Sequence, residues 1–425
     1  MRLRETLFSS RSFILLFGLM VSMSALGAGS RMHLDKNWAL VHLQQIATQM
    51  QALKSSGSMN VEAADRYAQL DSEYARLSAE MGGDAPVAAG AATNLPASVD
   101  GGFPSPPDPP PGFAVTIALF TQPTPAPIPD VNSITSTIVV SGMGGYLWNV
   151  DLQTFVTHTF SADLDITLTS PAGTTVTITT DNGTTNDNVF NGTVWTDLVD
   201  DNVVDHAYAN LMLASPLVPE GAMGAFRGEN PNGVWKLKVT DDLAGDTGTL
   251  QSWGLHVSSF AHGPLMAGKV AMNAVASPIP DLTTVTSNLI VSGVGTSLFD
   301  IDLTTFITHT FSADLDITLT SPAGTTVKIT TDNGAGNDNV FYGTVWDDSA
   351  ATPVTDYVFV NPVPAPRLVP EGAMSHFVGE DPNGTWVLSI TDDLTGDTGT
   401  LFGWFLDVVT SLPPGDLIFA DGFDG

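Results

Sequence analysis

Carboxylates and side-chain amides gather at two matching places in this 425-residue sequence. The first holds Asp163 and Asp165, then Asp181, Asn182, Asn186, Asp187 and Asn188, then Asp241, Asp242 and Asp246. The second holds Asp314 and Asp316, then Asp332, Asn333, Asn337, Asp338 and Asn339, then Asp392, Asp393 and Asp397. Hard cations such as calcium take about six to eight oxygen ligands, and carboxylates and amide carbonyls supply them. Calcium is therefore the candidate cofactor. The candidate ligands are Asp163, Asp165, Asp181, Asp187, Asp241 and Asp246, with Asp314, Asp316, Asp332, Asp338, Asp392 and Asp397. Ordinary turn chemistry competes with this reading, because Asp, Asn and Gly populate turns for conformational reasons. The spacing fits no EF-hand loop, since no glutamate stands at the closing position.

Catalytic chemistry has no comparable footing. A subtilisin-like triad needs Asp, His and Ser in mutual hydrogen bonds. The nearest serine context is Gly295-Thr-Ser-Leu298, but Gly144-Gly-Tyr-Leu147 replaces that serine with Tyr146 in the equivalent place. Ser297 reads as a residue at the start of a strand. His158 and His309 are the tempting bases, but alternation in Ile307-Thr-His-Thr-Phe311 puts His309 on the apolar face, as a hydrogen-bonded core histidine. His-Glu-x-x-His, Gly-x-Ser-x-Gly and phosphate-loop patterns are missing from the sequence. The expectation is a non-catalytic protein.

The elements that position these residues come from a duplication. The run His158 to Val176 returns letter for letter as His309 to Val327, and Trp195, Pro219, Trp235 and Trp253 return as Trp346, Pro370, Trp386 and Trp404 at the same offset of 151. This is one folding unit repeated in tandem. In each copy apolar residues alternate with polar ones. Leu164, Ile166 and Leu168 face one way, and Asp163, Asp165, Thr167 and Thr169 the other. Trp235, Leu237 and Val239, then Trp253, Leu255 and Val257, place two tryptophans inward as core anchors. Short alternating strands with Gly, Pro and Asn turns predict an all-β fold: two tandem jelly-roll-like β-sandwich domains, at 128–258 and 279–410.

The flanks differ. Arg2, Arg4 and Arg11 precede an apolar run from Phe13 to Leu26 followed by small residues, which reads as a signal peptide over 1–28. Residues 34–82 carry apolar stripes at three- and four-residue steps, predicting an α-helical hairpin. A Pro/Ala/Gly-rich linker over 83–127, with Phe103-Pro-Ser-Pro-Pro-Asp-Pro-Pro-Pro111, reads as an extended, semi-stiff spacer. An acidic tail occupies 411–425. Lys+Arg of 14 against Asp+Glu of 45 gives a net charge of −31, which argues against nucleic acid or an anionic membrane surface as partner. With no cysteine, disulfides and thiolate metal sites are excluded. After signal cleavage no membrane span is expected.

His158-Thr-Phe-Ser-Ala-Asp-Leu-Asp-Ile-Thr-Leu-Thr-Ser-Pro-Ala-Gly-Thr174 resembles the central signature of the P domain (Homo B domain) of kexin- and furin-type proprotein convertases. So do Gly228-Glu-Asn-Pro-Asn-Gly-Val-Trp235 and Gly245-Asp-Thr-Gly-Thr-Leu-Gln-Ser-Trp253, each with a counterpart in the second copy. Pro219-Glu-Gly and Pro370-Glu-Gly fit the bacterial secreted form. The resemblance implies a jelly-roll β-sandwich that stabilises a neighbouring serine endopeptidase and tunes its calcium and pH dependence. No protease domain precedes either copy here. The sequence is thus read as a secreted, non-catalytic protein, extracellular or at the outer surface of a Gram-negative bacterium. Its partner would be an extracellular protein, such as a peptidase, or a surface polymer. The alternatives are serine endopeptidase activity itself, by family association, and a calcium-dependent adhesive or envelope protein.

Overall fold

The computed structural model describes residues 102–412. The expected signal peptide (1–28), helical hairpin (34–82) and all but the first two residues of the expected tail lie outside the described residues. What is described is all β, with 3-10 turns as its helical content. Among the described residues no helix is long and apolar enough to cross a membrane.

Each copy is a sandwich of two sheets. In the first copy the strands are β1 (Thr116–Gln122), β2 (Ala126–Ile128), β3 (Asn132–Val140), β4 (Tyr146–His158), β5 (Leu164–Thr169), β6 (Thr175–Thr179), β7 (Asn191–Trp195), β8 (Gly233–Asp241) and β9 (Gly248–Phe260). One sheet runs β1-β9-β4-β7, with β2 also on β9, and the other β3-β8-β5-β6. Between them Leu164, Ile166, Leu168, Trp235, Leu237, Val239, Trp253 and Leu255 form the core. The four predicted tryptophan anchors, Trp235, Trp253, Trp386 and Trp404, are all buried. Their indole N–H groups are satisfied: Trp235 Nε1 donates to Pro231 O and Trp253 Nε1 to Ser136 Oγ, each at 2.9 Å.

The second copy repeats this with β10 (Leu265–Asn273), β11 (Ser277–Ile279), β12 (Thr284–Val291), β13 (Leu298–His309), β14 (Leu315–Thr320), β15 (Thr326–Thr330), β16 (Tyr342–Trp346), β17 (Arg367–Leu368), β18 (Gly384–Asp392) and β19 (Gly399–Leu412). Its sheets run β10-β19-β13-β16-β17 and β12-β18-β14-β15.

Three boundaries differ from the sequence reading. Strand β1 lies within the expected linker and β2 begins in it, and β10 and β11 start before the expected second copy at 279. All four pair only with the last strand of their copy at its outer side; β2 and β11 are three residues long, β10 is mostly exposed, and β1 carries apolar residues on both faces, so none shows the alternation of a long half-buried strand. At the other end β19 runs on through Leu412, past the expected tail boundary.

The two copies meet through equivalent surfaces. Val218 and Ala222 of the first pack with Val369 and Ala373 of the second. Beside them Asp197 Oδ1 and Oδ2 accept from the backbone N–H of Met223 (3.0 Å) and Gly224 (2.7 Å). Asp348 does the same for Met374 (2.9 Å) and Ser375 (2.6 Å). Ser375 Oγ then crosses the contact and donates to Asp197 Oδ2 at 2.5 Å.

Candidate functional site

His158 closes β4, where its partner on β9 is Gly248. A Cβ on Gly248 would stand 2.3 Å from the Thr157 carbonyl oxygen and 2.5 Å from His158 Cδ2. Only glycine lets the imidazole lie across the neighbouring strand. The ring turns inward and is 1% exposed. Nε2 lies 3.1 Å from Asp241 Oδ2, and Nδ1 sits on the Phe160 backbone, 2.7 Å from its oxygen and 3.3 Å from its nitrogen. His309 repeats this with Asp392 at 3.0 Å and Phe311 O at 2.6 Å. Both ring nitrogens are engaged by the fold itself, as expected of core histidines.

Asp241 is buried because β8 keeps its alternation to the end: Trp235, Leu237, Val239 and Asp241 all point inward. Asp163 corrects the sequence reading. Rather than sharing the polar face with Asp165, it closes a 3-10 turn (Ser161–Asp163) and is buried. That turn interrupts the two-residue period just before β5 begins. Asp163 Oδ1 and Asp241 Oδ1 are both buried without a hydrogen-bond partner. Burial pushes the Asp163 carboxyl above its usual range, the Asp241 charge adds to this, and His158 opposes it.

A second group lies outside the sandwich. Asp165 projects from the polar face of β5, Asp181 follows β6 with φ of 55°, and Asp242 stands one residue beyond β8. Their carboxylate oxygens lie within 4.8 Å of one another. Asp316, Asp332 and Asp393 repeat the triplet. Burial pushes Asp165 up to about 6, with the Asp242 and Asp181 charges adding and Lys238 opposing. Asp316 moves the same way for the same causes, with Lys328 in the opposing role. Each triplet also faces an acid of the other copy: Asp356 acts on Asp165 and is itself raised by the Asp181 charge, and Asp205 acts on Asp316 and Asp332. Three converging carboxylates repel one another and can be relieved by a proton or by a hard cation.

The structure therefore brings Asp165 together with Asp181, and Asp316 with Asp332. It recruits Asp242 and Asp393 to them instead of Asp241 and Asp392, which belong to the histidines. Asp246 and Asp397 are taken by hydroxyls, accepting from Thr159 Oγ1 (2.6 Å) and Thr310 Oγ1 (2.7 Å). Asp187 and Asp338 stand apart from the triplets, and their backbone N–H groups donate to Asn210 and Asn361. The amides shape loops: Asn188 Oδ1 accepts from His158 N–H at 2.9 Å, and Asn186 Nδ2 donates to Gly183 O at 2.9 Å.

Two carboxylates absent from the candidate set are the buried Glu220 and Glu371. Glu220 accepts from Thr180 N and Thr180 Oγ1, both at 2.7 Å, and from Asn182 Nδ2. Burial nonetheless pushes Glu220 up to about 7. Glutamate in a Pro-Glu-Gly turn, followed by apolar residues, was the available signal. It anchors the loop after β6.

The proprotein convertase P-domain family model matches residues 147–257 and 298–408, just over half of the chain. The transglutaminase-activating metalloprotease of Streptomyces mobaraensis is 30% identical over 169 residues, which is 39% of this chain. This chain spans 17% of that protein's length. Among solved structures, the serine protease of Aeromonas sobria in complex with its chaperone aligns over 36% of this chain and 28% of its own, at 18% identity and a TM-score of 0.25. PNGase F, a glycosylasparaginase from Flavobacterium meningosepticum, aligns over 70% of this chain and 97% of its own, at 11% identity and a TM-score of 0.22. With the family model matching over both sandwiches, this chain belongs to the proprotein convertase P-domain family and carries that domain twice.

Proposed function

We propose that the chain is a secreted, non-catalytic pair of P domains that binds and stabilises an extracellular serine peptidase in trans. The observation that carries this reading is the state of its two most base-like groups. His158 and His309 are buried with both ring nitrogens engaged, so neither has a free nitrogen to activate a nucleophile. Membership of a protease-associated family supports the partner class. The test is capture on the immobilised mature chain from the producer's own secreted fraction. A serine peptidase should be retained, and its half-life at elevated temperature should lengthen when the chain is present. Labelling of the pure chain by a fluorophosphonate probe would instead make it the peptidase. Retention of polysaccharide or envelope material without a peptidase would move it to an adhesive class.

A specific observation favours a cation requirement within this role. Each copy presents one acidic triplet near the contact between copies, with a further acid from the other copy acting on it. We propose these triplets as the calcium sites, with Asp165, Asp181 and Asp242 holding one ion and Asp316, Asp332 and Asp393 the other.

A further inference from the structure

The stretch before β1 is built like a ligand. Six of the nine residues 103–111 are proline. Exposure follows a step of three: Ser105, Asp108 and Pro111 face solvent, while Pro104, Pro107 and Pro110 are half-buried or buried. Three residues per turn is the period of the polyproline II helix, and pyrrolidine rings hold φ where that helix needs it. Residues 103–110 are assigned to neither helix nor strand. Having few N–H groups to offer, such a segment is held by contact and by its carbonyls.

Both copies build its seat. Trp148 Nε1 donates to the Pro107 carbonyl at 2.9 Å, and Phe103 stacks on His256 with ring centroids 5.0 Å apart. From the second copy, Gly379 lies directly under the segment, where a Cβ would stand 2.8 Å from the Asp108 carbonyl oxygen. Trp148 belongs to an apolar cluster with Phe260 and Val378, which joins the copies. The Arg227 guanidinium lies 5.7 Å from its ring centroid. An aromatic floor with an indole N–H aimed at a proline-segment carbonyl is the general way proteins read polyproline II peptides.

We propose that this cleft between the two copies is a polyproline II-binding groove, occupied in cis by the chain's own residues 103–111, and that a proline-rich segment of a partner protein takes the same seat by displacing them. The predicted plain spacer is thus a built-in competitor. The groove serves this purpose whether or not the partner is a peptidase, so its test is independent of peptidase capture.

The test uses the full chain with Pro104, Pro106, Pro107 and Pro110 replaced by serine, titrated with a fluorescent peptide of residues 103–113. A tethered occupant acts at an effective concentration on the order of millimolar, so vacating the seat should tighten apparent peptide affinity by roughly tenfold or more. Adding Trp148→Phe should abolish that gain. A folded four-serine chain that binds the peptide no better than the original overturns the proposal. An independent readout needs no substitution in residues 103–111: the original chain labelled with 5-fluorotryptophan, its Trp148 resonance assigned through Trp148→Phe. Millimolar nitroxide-labelled peptide should bleach the Trp148 resonance ahead of those of the core tryptophans. Uniform bleaching, or none, overturns exchange at this groove.

Discussion

Asp241 and Asp392 are the residues whose loss the fold should feel most. Each is buried against a histidine ring nitrogen. Asp241→Ala leaves that nitrogen buried without an acceptor, a change that costs about 2–4 kcal/mol. The expected result is a lower midpoint in chemical denaturation, with Asp392→Ala acting alike on the second copy. Substitutions in the triplets at the surface, where only Asp165 and Asp316 are half-buried, should behave oppositely, affecting ligand more than stability. Calorimetric titration with calcium should report about two sites, and Asp165→Asn with Asp316→Asn should weaken them by roughly tenfold or more. Because Asp165 sits at about 6, protons compete with the ion below that value. Calcium affinity should therefore fall as pH drops from 7 towards 5. An affinity that is flat over this range would remove the triplets from consideration.

At the scale of elements, what the sequence made legible followed from strict alternation. Strands β5, β8 and β9 announce themselves through Leu164-Ile166-Leu168, Trp235-Leu237-Val239 and Trp253-Leu255-Val257, because one face of each is fully buried. The same period, carried one step further, would have put Asp241 inside and freed Asp242 for the triplet. Asp163 was misplaced because a 3-10 turn resets the phase, and nothing in Ser161-Ala-Asp163 marks that turn. Edge strand β10 escaped because exposure on both faces erases the pattern, and β1 because its outer face carries Ile117 and Leu119, as apolar as the Ala118 and Phe120 that pack on the core. Gly248 is an element-scale feature that sequence could register only as part of a turn. Its packing role predicts that Gly248→Ala, by forcing β4 and β9 apart at His158, destabilises the first copy by roughly 2–4 kcal/mol, read as an earlier first transition in thermal unfolding.

For the whole molecule the decisive contact was not legible, since it joins Asp197 and Ser375 across the two copies. Burial pushes Asp348 up to about 7, with the Asp197 charge adding to it, and burial also raises Asp197 despite its three donors. Both acids hold protons more tightly folded than unfolded. Their stabilising contribution is complete below about pH 4, the unfolded value, and is lost as pH rises above it, for Asp348 through about 7. Glu220 and Glu371, each pushed up to about 7, contribute with the same sign. Stability should thus rise as pH falls from 8 to 5, and Asp348→Asn should flatten that dependence. Denaturation midpoints across this range check both statements.

Equivalent surfaces meeting face to face are what two identical subunits would use to form a symmetric dimer. A chain with a single copy could form that contact only by encounter, and dilution would undo it. Joining the copies in one polypeptide makes the encounter intramolecular, so the pairing no longer depends on how much protein is present. It also frees the two halves to diverge. Ser375 faces Asp197, whereas glycine stands at the matching position 224. A homodimer could not carry that difference, since any change in one half would be imposed on the other.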